Sequence, residues 1–476
     1  MYYIYAPNNI LQKRDMKRTL LLVFTGLTIY GCNNNNLTEA DTNQLSENPI
    51  YYSGYIYDYW GNGKYDSAII YTEKLVELDP TELIEHLHTQ VVAHGILENK
   101  SNASEFLNAL YDVGNEDVNN IIRPAYLWNK IKSCKPNDSI LLLFDELGVL
   151  RKKDFLSPAK PELYFLKAIM EIDWDIMECD IDPKLMCRSL IQELKDSLAN
   201  NEIVHNRDAL YKRGHIRVVL SHAYYYLSDN GNVEYFLKMA ALYSPDKTDK
   251  RFIGAYFYTS YFLNSHYNNF GFQEKFLDYL VKNNKLEEGI SVLSIMSIDE
   301  PITSNVKRLK ALYKEVHPSG NYKQYWHNVF SINSDTFPEF TFQTLDGVSS
   351  TSRQLRGKWI FIDIWGTWCS PCVAELPDIE KFYQTSSEKY NNQLDVLSIS
   401  YNSKNLNVFI DSNHYTFPVA EIEDSIVDKL VLMGFPTKLI VSPDGHYREI
   451  PWNTDWVEYI DNYTLLAEKD SNTPEE

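Results

Sequence analysis

Two cysteines, Cys369 and Cys372, stand three positions apart in the run Trp368-Cys-Ser-Pro-Cys372. A pair at this spacing has two chemistries open to it. It can supply half of a thiolate site for zinc, which needs a second pair of cysteine or histidine ligands. It can also close a small disulfide and reopen it, losing and gaining two electrons. The chain has no second C-x-x-C, and His414 and His446 stand alone. The surroundings favour redox. The run Trp359-Ile-Phe-Ile-Asp363-Ile-Trp365 has the composition of a buried strand, and Val373 to Tyr383 follows as a helix. A thiol at a helix N-terminus meets free amides and the positive end of the dipole, which favour the thiolate.

Further motifs flank the pair in a fixed order. Phe337-Pro-Glu-Phe-Thr-Phe342 and then Leu345-Asp-Gly347 read as a hairpin, and Leu355-Arg-Gly-Lys358 precedes the first core strand. The motif helix carries Glu375 and Pro377. Gly434-Phe-Pro-Thr437 leads into a strand, Lys438 to Val441, and the turn Ser442-Pro-Asp-Gly445 leads into another, His446 to Ile450. In this order, from Phe337 to about Leu466, the chain resembles the thioredoxin superfamily. More closely it resembles the TlpA/ResA-like extracytoplasmic thiol–disulfide oxidoreductases.

The resemblance implies an α/β thioredoxin-like fold and a role for each motif residue. Cys369 is expected to be exposed and to attack a client disulfide, forming a mixed disulfide. Cys372, one helical turn in, is expected to be buried and to resolve that intermediate. A buried thiol ionises reluctantly and gains from a proton acceptor nearby. Asp363 occupies the position of the superfamily's buried acid, and Glu375 that of the acid beside the TlpA/ResA-like active site. A carboxylate in an apolar strand is costly to bury without a role. The reach of Asp363 to Cys372 depends on strand register, and a solvated helix-face charge is the alternative for Glu375. Pro436 corresponds to the superfamily's cis-proline. The residue before it, Phe435, would offer backbone groups to an incoming peptide. Pro377 is expected to kink the motif helix. Trp365 and Trp368 read as packing residues, with Trp368 flanking the docking surface. No cofactor is expected beyond the redox-active disulfide Cys369–Cys372, and no metal.

The N-terminus bears on compartment. Lys17-Arg18 precede a short apolar run, Thr19 to Tyr30, and then Gly31-Cys32. The run is too short to span a membrane as a mature helix and has the form of a secretory signal. Its Gly-Cys ending resembles a bacterial lipoprotein signal, which would make 1–31 the signal and Cys32 the lipidated residue. An uncleaved or differently cleaved signal is the alternative. The polar stretch 32–49 reads as a flexible tether. These features place the protein in a bacterial cell envelope, lipid-anchored and facing the periplasm. Cys134, Cys179 and Cys187 are left over. A Cys179–Cys187 disulfide and buried free thiols are both open.

The formal net charge of −20 repels phosphates, so nucleic acid is not an expected partner. The chain is long enough for more than one domain. Residues 50–330 show apolar residues at three- and four-residue spacing and read as an all-α domain of helical hairpins, solenoid-like, with a compact bundle as the alternative. Gly63 to Pro80 resembles the latter half of a tetratricopeptide repeat, in which the glycine marks the turn and the proline ends the second helix. Around Asn230-Gly-Asn232 there is a fainter echo. His86 and His88, two apart, share no helix face and read as core or solvated residues rather than metal ligands. The linker is expected near 317–320 or 331–334. Residues 331–468 form the thioredoxin-like domain, and 469–476 a polar tail.

Together these features predict a lipid-anchored thiol–disulfide oxidoreductase that reduces disulfides of a client protein. Its electrons would come from a membrane thiol-transfer protein. The alternatives are a helical envelope scaffold with an accessory redox domain, and a disulfide isomerase.

Overall fold

The computed structural model describes residues 48–467, apart from 135–137, 178–180, 202–206, 230, 246–258, 264–270, 431, 433 and 453. The expected signal, Cys32 and most of the tether lie outside the described residues, as do Cys179 and the polar tail. The chain divides into two compact units, Met1–Tyr279 and Leu280–Glu476.

The first unit is helical. Its helices are α1 (Pro49–Gly61), α2 (Tyr65–Leu78), α3 (Pro80–His86), α4 (Ser101–Asp112), α5 (Glu116–Ser133), α6 (Asp138–Lys153), α7 (Pro161–Glu171), α8 (Pro183–Asn201), α9 (Arg207–Tyr226) and α10 (Val233–Leu242). A π-helix, Leu87–Ile96, continues α3, and α11 (Gln273–Lys282) runs across the division. Local chemistry sets several ends. Gly63 turns the chain between α1 and α2 at φ +72°, a conformation that only glycine adopts without strain. α2 stops at Leu78. Asp79 then accepts from the amides of Thr81 and Glu82 and caps α3, whose first residue is Pro80. The second helix thus ends before Asp79-Pro80 as expected, and Pro80 also opens the next helix: a proline lacks only an amide that a first turn leaves unpaired. The large side chains of Trp60, Phe106, Trp128, Phe144 and Tyr164 fill the core. His86 lies in it with neither ring nitrogen bonded, and His88 Nδ1 pairs with Tyr164 Oη at 2.9 Å. Cys134 and Cys187 are free thiols.

The second unit opens with α12 (Leu286–Asp299), α13 (Thr303–Val316) and α14 (Tyr322–Ile332). There follow β1 (Asp335–Thr336), β2 (Thr341–Thr344), β3 (Ser349–Thr351), β4 (Trp359–Trp365), α15 (Ser370–Lys389) and β5 (Leu394–Tyr401). The chain then forms α16 (Leu406–Asn413), β6 (Val419–Ile422), α17 (Asp424–Lys429), β7 (Thr437–Val441), β8 (His446–Ile450) and α18 (Trp456–Thr464). The strands make one sheet in the order β1-β8-β7-β4-β5-β6-β2-β3. β4 lies at its centre, parallel to β5 and antiparallel to β7. Every residue of β4 is buried, which explains its near-continuous apolar run. Ile360, Ile362 and Ile364 pack on one face with Leu397, Ile399, Leu439 and Val441. Asp363 shares the other face with Phe361 and Trp365, because side chains alternate along a strand. Phe361 there meets Phe382 of α15 and Trp456 of α18, at 5.4 and 5.0 Å between ring centroids.

Both expected linker positions fall inside this unit. The reason is the burial of α12–α14 against the sheet and α18. Trp326 is fully buried and donates to the carbonyls of Asn462 and Tyr463. Phe330 packs edge-on against Trp359 and Tyr463. Arg448 of β8 reaches Asp299, the last residue of α12, at 2.7 Å, with both side chains buried.

Candidate active site

The centre of β4 delivers the chain to the head of α15 through Gly366-Thr-Trp368. Cys369 is the N-cap of that helix, with Pro371 in its first turn, a position that suits proline's missing amide. Cys369 and Cys372 are joined by a disulfide, with their Cα atoms 5.3 Å apart. Cys369 Sγ also accepts from the Cys372 amide at 3.3 Å, so the helix amides face sulfur as the sequence argument requires. Cys372 is 1 % exposed and Cys369 only 6 %. Cys369 is thus largely covered, against the expectation of an open thiol. Its bond to Cys372 and its capping contact draw the sulfur inward. Pro377 lies inside α15, which continues past it to Lys389.

The Phe435–Pro436 bond is cis. Phe435, beside it, is the centre of an aromatic wall drawn from three segments. Its ring meets Trp368 edge-on at 5.3 Å and stacks on Tyr401 of β5 at 5.4 Å. Trp368 is 52 % exposed yet pinned, because its indole Nε1 donates to the Tyr401 carbonyl at 3.0 Å. It folds over Gly366, where a Cβ would come within 2.5 Å of that nitrogen. Tyr401 Oη donates to Asp424 at 2.7 Å. Trp368 is exposed while Phe435 and Tyr401 are half-buried, and such a pre-organised aromatic surface is a form that partner contacts favour. Trp365, by contrast, is fully buried and donates to Ser398 Oγ, a packing residue as expected.

The two candidate acids are brought together by a third residue. Lys438 pairs in register with Asp363 across β4 and β7. Its ammonium is ion-paired and hydrogen-bonded to Glu375 of α15 and stands 3.4 Å from Asp363 Oδ1. It also lies over the Trp456 ring, 6.0 Å from the centroid. Asp363 is 2 % exposed, and its Oδ1 accepts no hydrogen bond. Burial pushes the Asp363 carboxyl above the usual carboxylate range. The Lys438 ammonium opposes that push, and the Glu375 carboxylate adds to it. Glu375 is no simple solvated charge, since it holds a buried ammonium.

Sequence reasoning missed Lys438 and Tyr401. A signal for Lys438 was present. Thr437-Lys-Leu-Ile-Val441 places a cation inside a buried strand, the same anomaly that drew attention to Asp363. Nothing in the sequence around Tyr401 marks it, since its role depends on the approach of Phe435.

Residues 334–450 match the family model described as the AhpC/TSA family. The thioredoxin-like protein YneN of Bacillus subtilis is 30 % identical over 118 residues, which are 24 % of this chain and 67 % of that protein. The thiol-disulfide oxidoreductase ResA of Halalkalibacterium halodurans is 29 % identical over 114 residues, 23 % of this chain and 63 % of its own. The chain thus spans about two thirds of the length of these relatives. The crystal structure of StoA from Bacillus subtilis aligns with 26 % of this chain and 95 % of its own, at 20 % identity and a TM-score of 0.23. With its disulfide at the head of α15 and its cis-proline beside the aromatic wall, the chain belongs, through its C-terminal domain, to the thioredoxin superfamily and its TlpA/ResA-like thiol–disulfide oxidoreductases.

Proposed function

We propose that the protein is a lipid-anchored, extracytoplasmic reductase of protein disulfides. The observation that carries the redox step is the Cys369–Cys372 bond at a helix N-terminus, next to the exposed Trp368 and its partner Phe435. In the reduced form the Cys369 thiolate attacks a client disulfide. A bond forms from Cys369 to one client sulfur, and the other client sulfur leaves as a thiolate. Cys372 then loses its proton and attacks Cys369 Sγ. The mixed disulfide breaks, the second client thiolate leaves, and Cys369–Cys372 closes. Two electrons pass to the client, and its two thiolates take up the two protons given up by the cysteines. A membrane thiol-transfer protein would restore the dithiol by the reverse exchange. The anchor rests on the Lys17-Arg18 to Cys32 segment, and the direction on the resemblance of the motifs to TlpA/ResA-like proteins.

Trapping tests this. Cys372→Ser should leave Cys369 bonded to its client, and mass spectrometry of the adduct identifies that client. Failure to form any adduct, while Cys369 still alkylates readily, would sink the proposal. A reduction potential near that of strong oxidants would reverse the direction of electron flow.

A further inference from the structure

We infer that the outer face of the α1/α2 hairpin is a membrane-docking surface, whose tyrosines settle among the headgroups of a phospholipid bilayer. Its nearness to that bilayer rests on the lipid anchor proposed above.

Two stripes at helical spacing build this face. On α1, Tyr51, Tyr55 and Tyr59 follow one another at four-residue intervals, with Tyr52 beside them. On α2, Ile70, Lys74 and Leu78 do the same, with Tyr71 beside them. The opposite faces carry the buried Ile56 and Trp60 of α1 and Ala68 and Leu75 of α2, which join the core. Tyr71 ties the two stripes together. The rings of Tyr52, Tyr55 and Tyr59 stand 5.9, 5.2 and 5.5 Å from its own, and the Lys74 ammonium lies over it at 5.6 Å. Around that stack the surface is open to water. Tyr55 is 48 % exposed and Ile70 52 %, and Tyr51 and Leu78 are exposed as well. Keeping four large side chains of this kind in water on one hairpin is unfavourable, and such a cluster marks a contact surface.

Composition selects the partner. α1 has one charged residue, Asp58, among its 13, so little charge must leave water when the helix meets lipid. Tyrosine joins an apolar ring to a polar hydroxyl and favours the boundary between hydrocarbon and water. Asp58, Asp66 and Glu77 occupy neighbouring exposed positions. Their charge turns away anionic lipid, so the fit is to neutral headgroups. Position points the same way. Asn48 caps α1 and stands sixteen residues after Cys32. An acyl group on Cys32 therefore keeps the start of this hairpin within ~55 Å of the bilayer, whatever path the chain between them takes. A linker of that length raises the local lipid concentration, and a second, weaker contact makes a lipid anchor hold more firmly.

The test uses the mature chain that the anchor reading implies, from residue 32 onward, with Cys32→Ser so that no acyl group contributes. It is mixed with phosphatidylcholine vesicles at millimolar lipid, the local concentration that a short linker imposes. Hydroxyl-radical footprinting with mass spectrometry then reads individual side chains. Labelling of Tyr51 and Tyr55 should fall about fivefold on the vesicles, as side chains seated in the interface leave water. Leu142, exposed elsewhere in the same unit, should keep its labelling. Sedimentation with the vesicles should survive added salt, because the contact is not ionic. The double variant Tyr51→Ser/Tyr55→Ser should weaken that sedimentation about tenfold. Ile70→Asp, on the other helix, should weaken it too, and decides alone if the double variant does not fold. Unchanged labelling of both tyrosines on vesicles, sedimentation that ignores these variants, or binding that collapses in salt overturns the docking surface. Protection of Tyr51 and Tyr55 without lipid also overturns it, since the chain itself or a second copy would then cover the hairpin. Absence of an acyl group from Cys32, in protein taken from its own membranes, would instead sink the anchor reading, and protection on vesicles would still uphold the surface.

Discussion

Asp299→Ala should destabilise the redox unit severely, although Asp299 is far from the disulfide in sequence and belongs to a helix outside the thioredoxin-like stretch. Asp299 closes α12 and holds Arg448 of β8 at 2.7 Å, with the two side chains 7 % and 6 % exposed. Arg448 also donates to the Asn333 carbonyl. Truncating Asp299 leaves a buried guanidinium with its carbonyl partner but no counter-charge. Breaking a buried pair from one side costs about 3–5 kcal/mol, whereas replacing both members with apolar groups is near neutral. Asp299→Asn keeps an acceptor and should fall between the two. The double variant Asp299→Leu/Arg448→Met should recover most of the loss. Urea unfolding of the full chain, followed by tryptophan fluorescence, measures this, provided that the transitions of the two units are resolved. The loss must appear in the transition that carries Trp326 and Trp359. A cost below about 1 kcal/mol for Asp299→Ala, or a double variant no better than the single, would refute the claim that α12–α14 are part of the redox unit's fold.

Other outcomes follow from the same geometry. His86 is 3 % exposed, neither ring nitrogen is bonded, and burial pushes its pKa down from 6.5 to about 3. Its folded value is depressed, so its contribution is complete above the unfolded value and is lost as pH falls from 6.5 towards about 3. At pH 5 the cost is about 2 kcal/mol, from roughly 1.5 units at 1.36 kcal/mol each. Urea midpoints of the first unit at neutral pH and at pH 5 should therefore converge in His86→Leu, and an unchanged gap would count against the assignment. Gly366→Ala should expel the Trp368 indole from its seat, because the new Cβ meets the ring and the Tyr401 carbonyl below 3.0 Å. Reduction of a protein client should show a raised KM, while reaction of Cys369 with a small disulfide such as 5,5′-dithiobis(2-nitrobenzoate) is spared. Equal losses on both would show that the aromatic wall does not dock clients.

Much of the redox domain was legible because its signals are local. The Cys-x-x-Cys spacing, the proline in the first helical turn, the apolar β4 run and the Ser442-Pro-Asp-Gly445 turn each express a short-range constraint on backbone or burial. The order of those signals suffices for the sheet and for the two sulfurs. The charge of Asp363 inside a strand was equally visible as an anomaly. The helical character of the first unit was legible from periodicity for the same reason, and so was the helix end before Asp79-Pro80; that Pro80 also starts the next helix went unread, because proline fits the start of a helix as well as the stop.

Sequence alone determined which atoms can exchange electrons and which helix end activates them, since spacing along the chain controls both. Only tertiary structure decided what surrounds those atoms. Lys438 meets Glu375 across 63 residues, and Arg448 meets Asp299 across 149. Such pairs exist because sheet register and helix docking bring distant positions together. A buried charge shows in sequence as a cost, but the partner that offsets it is chosen by the fold, and no local pattern encodes that choice.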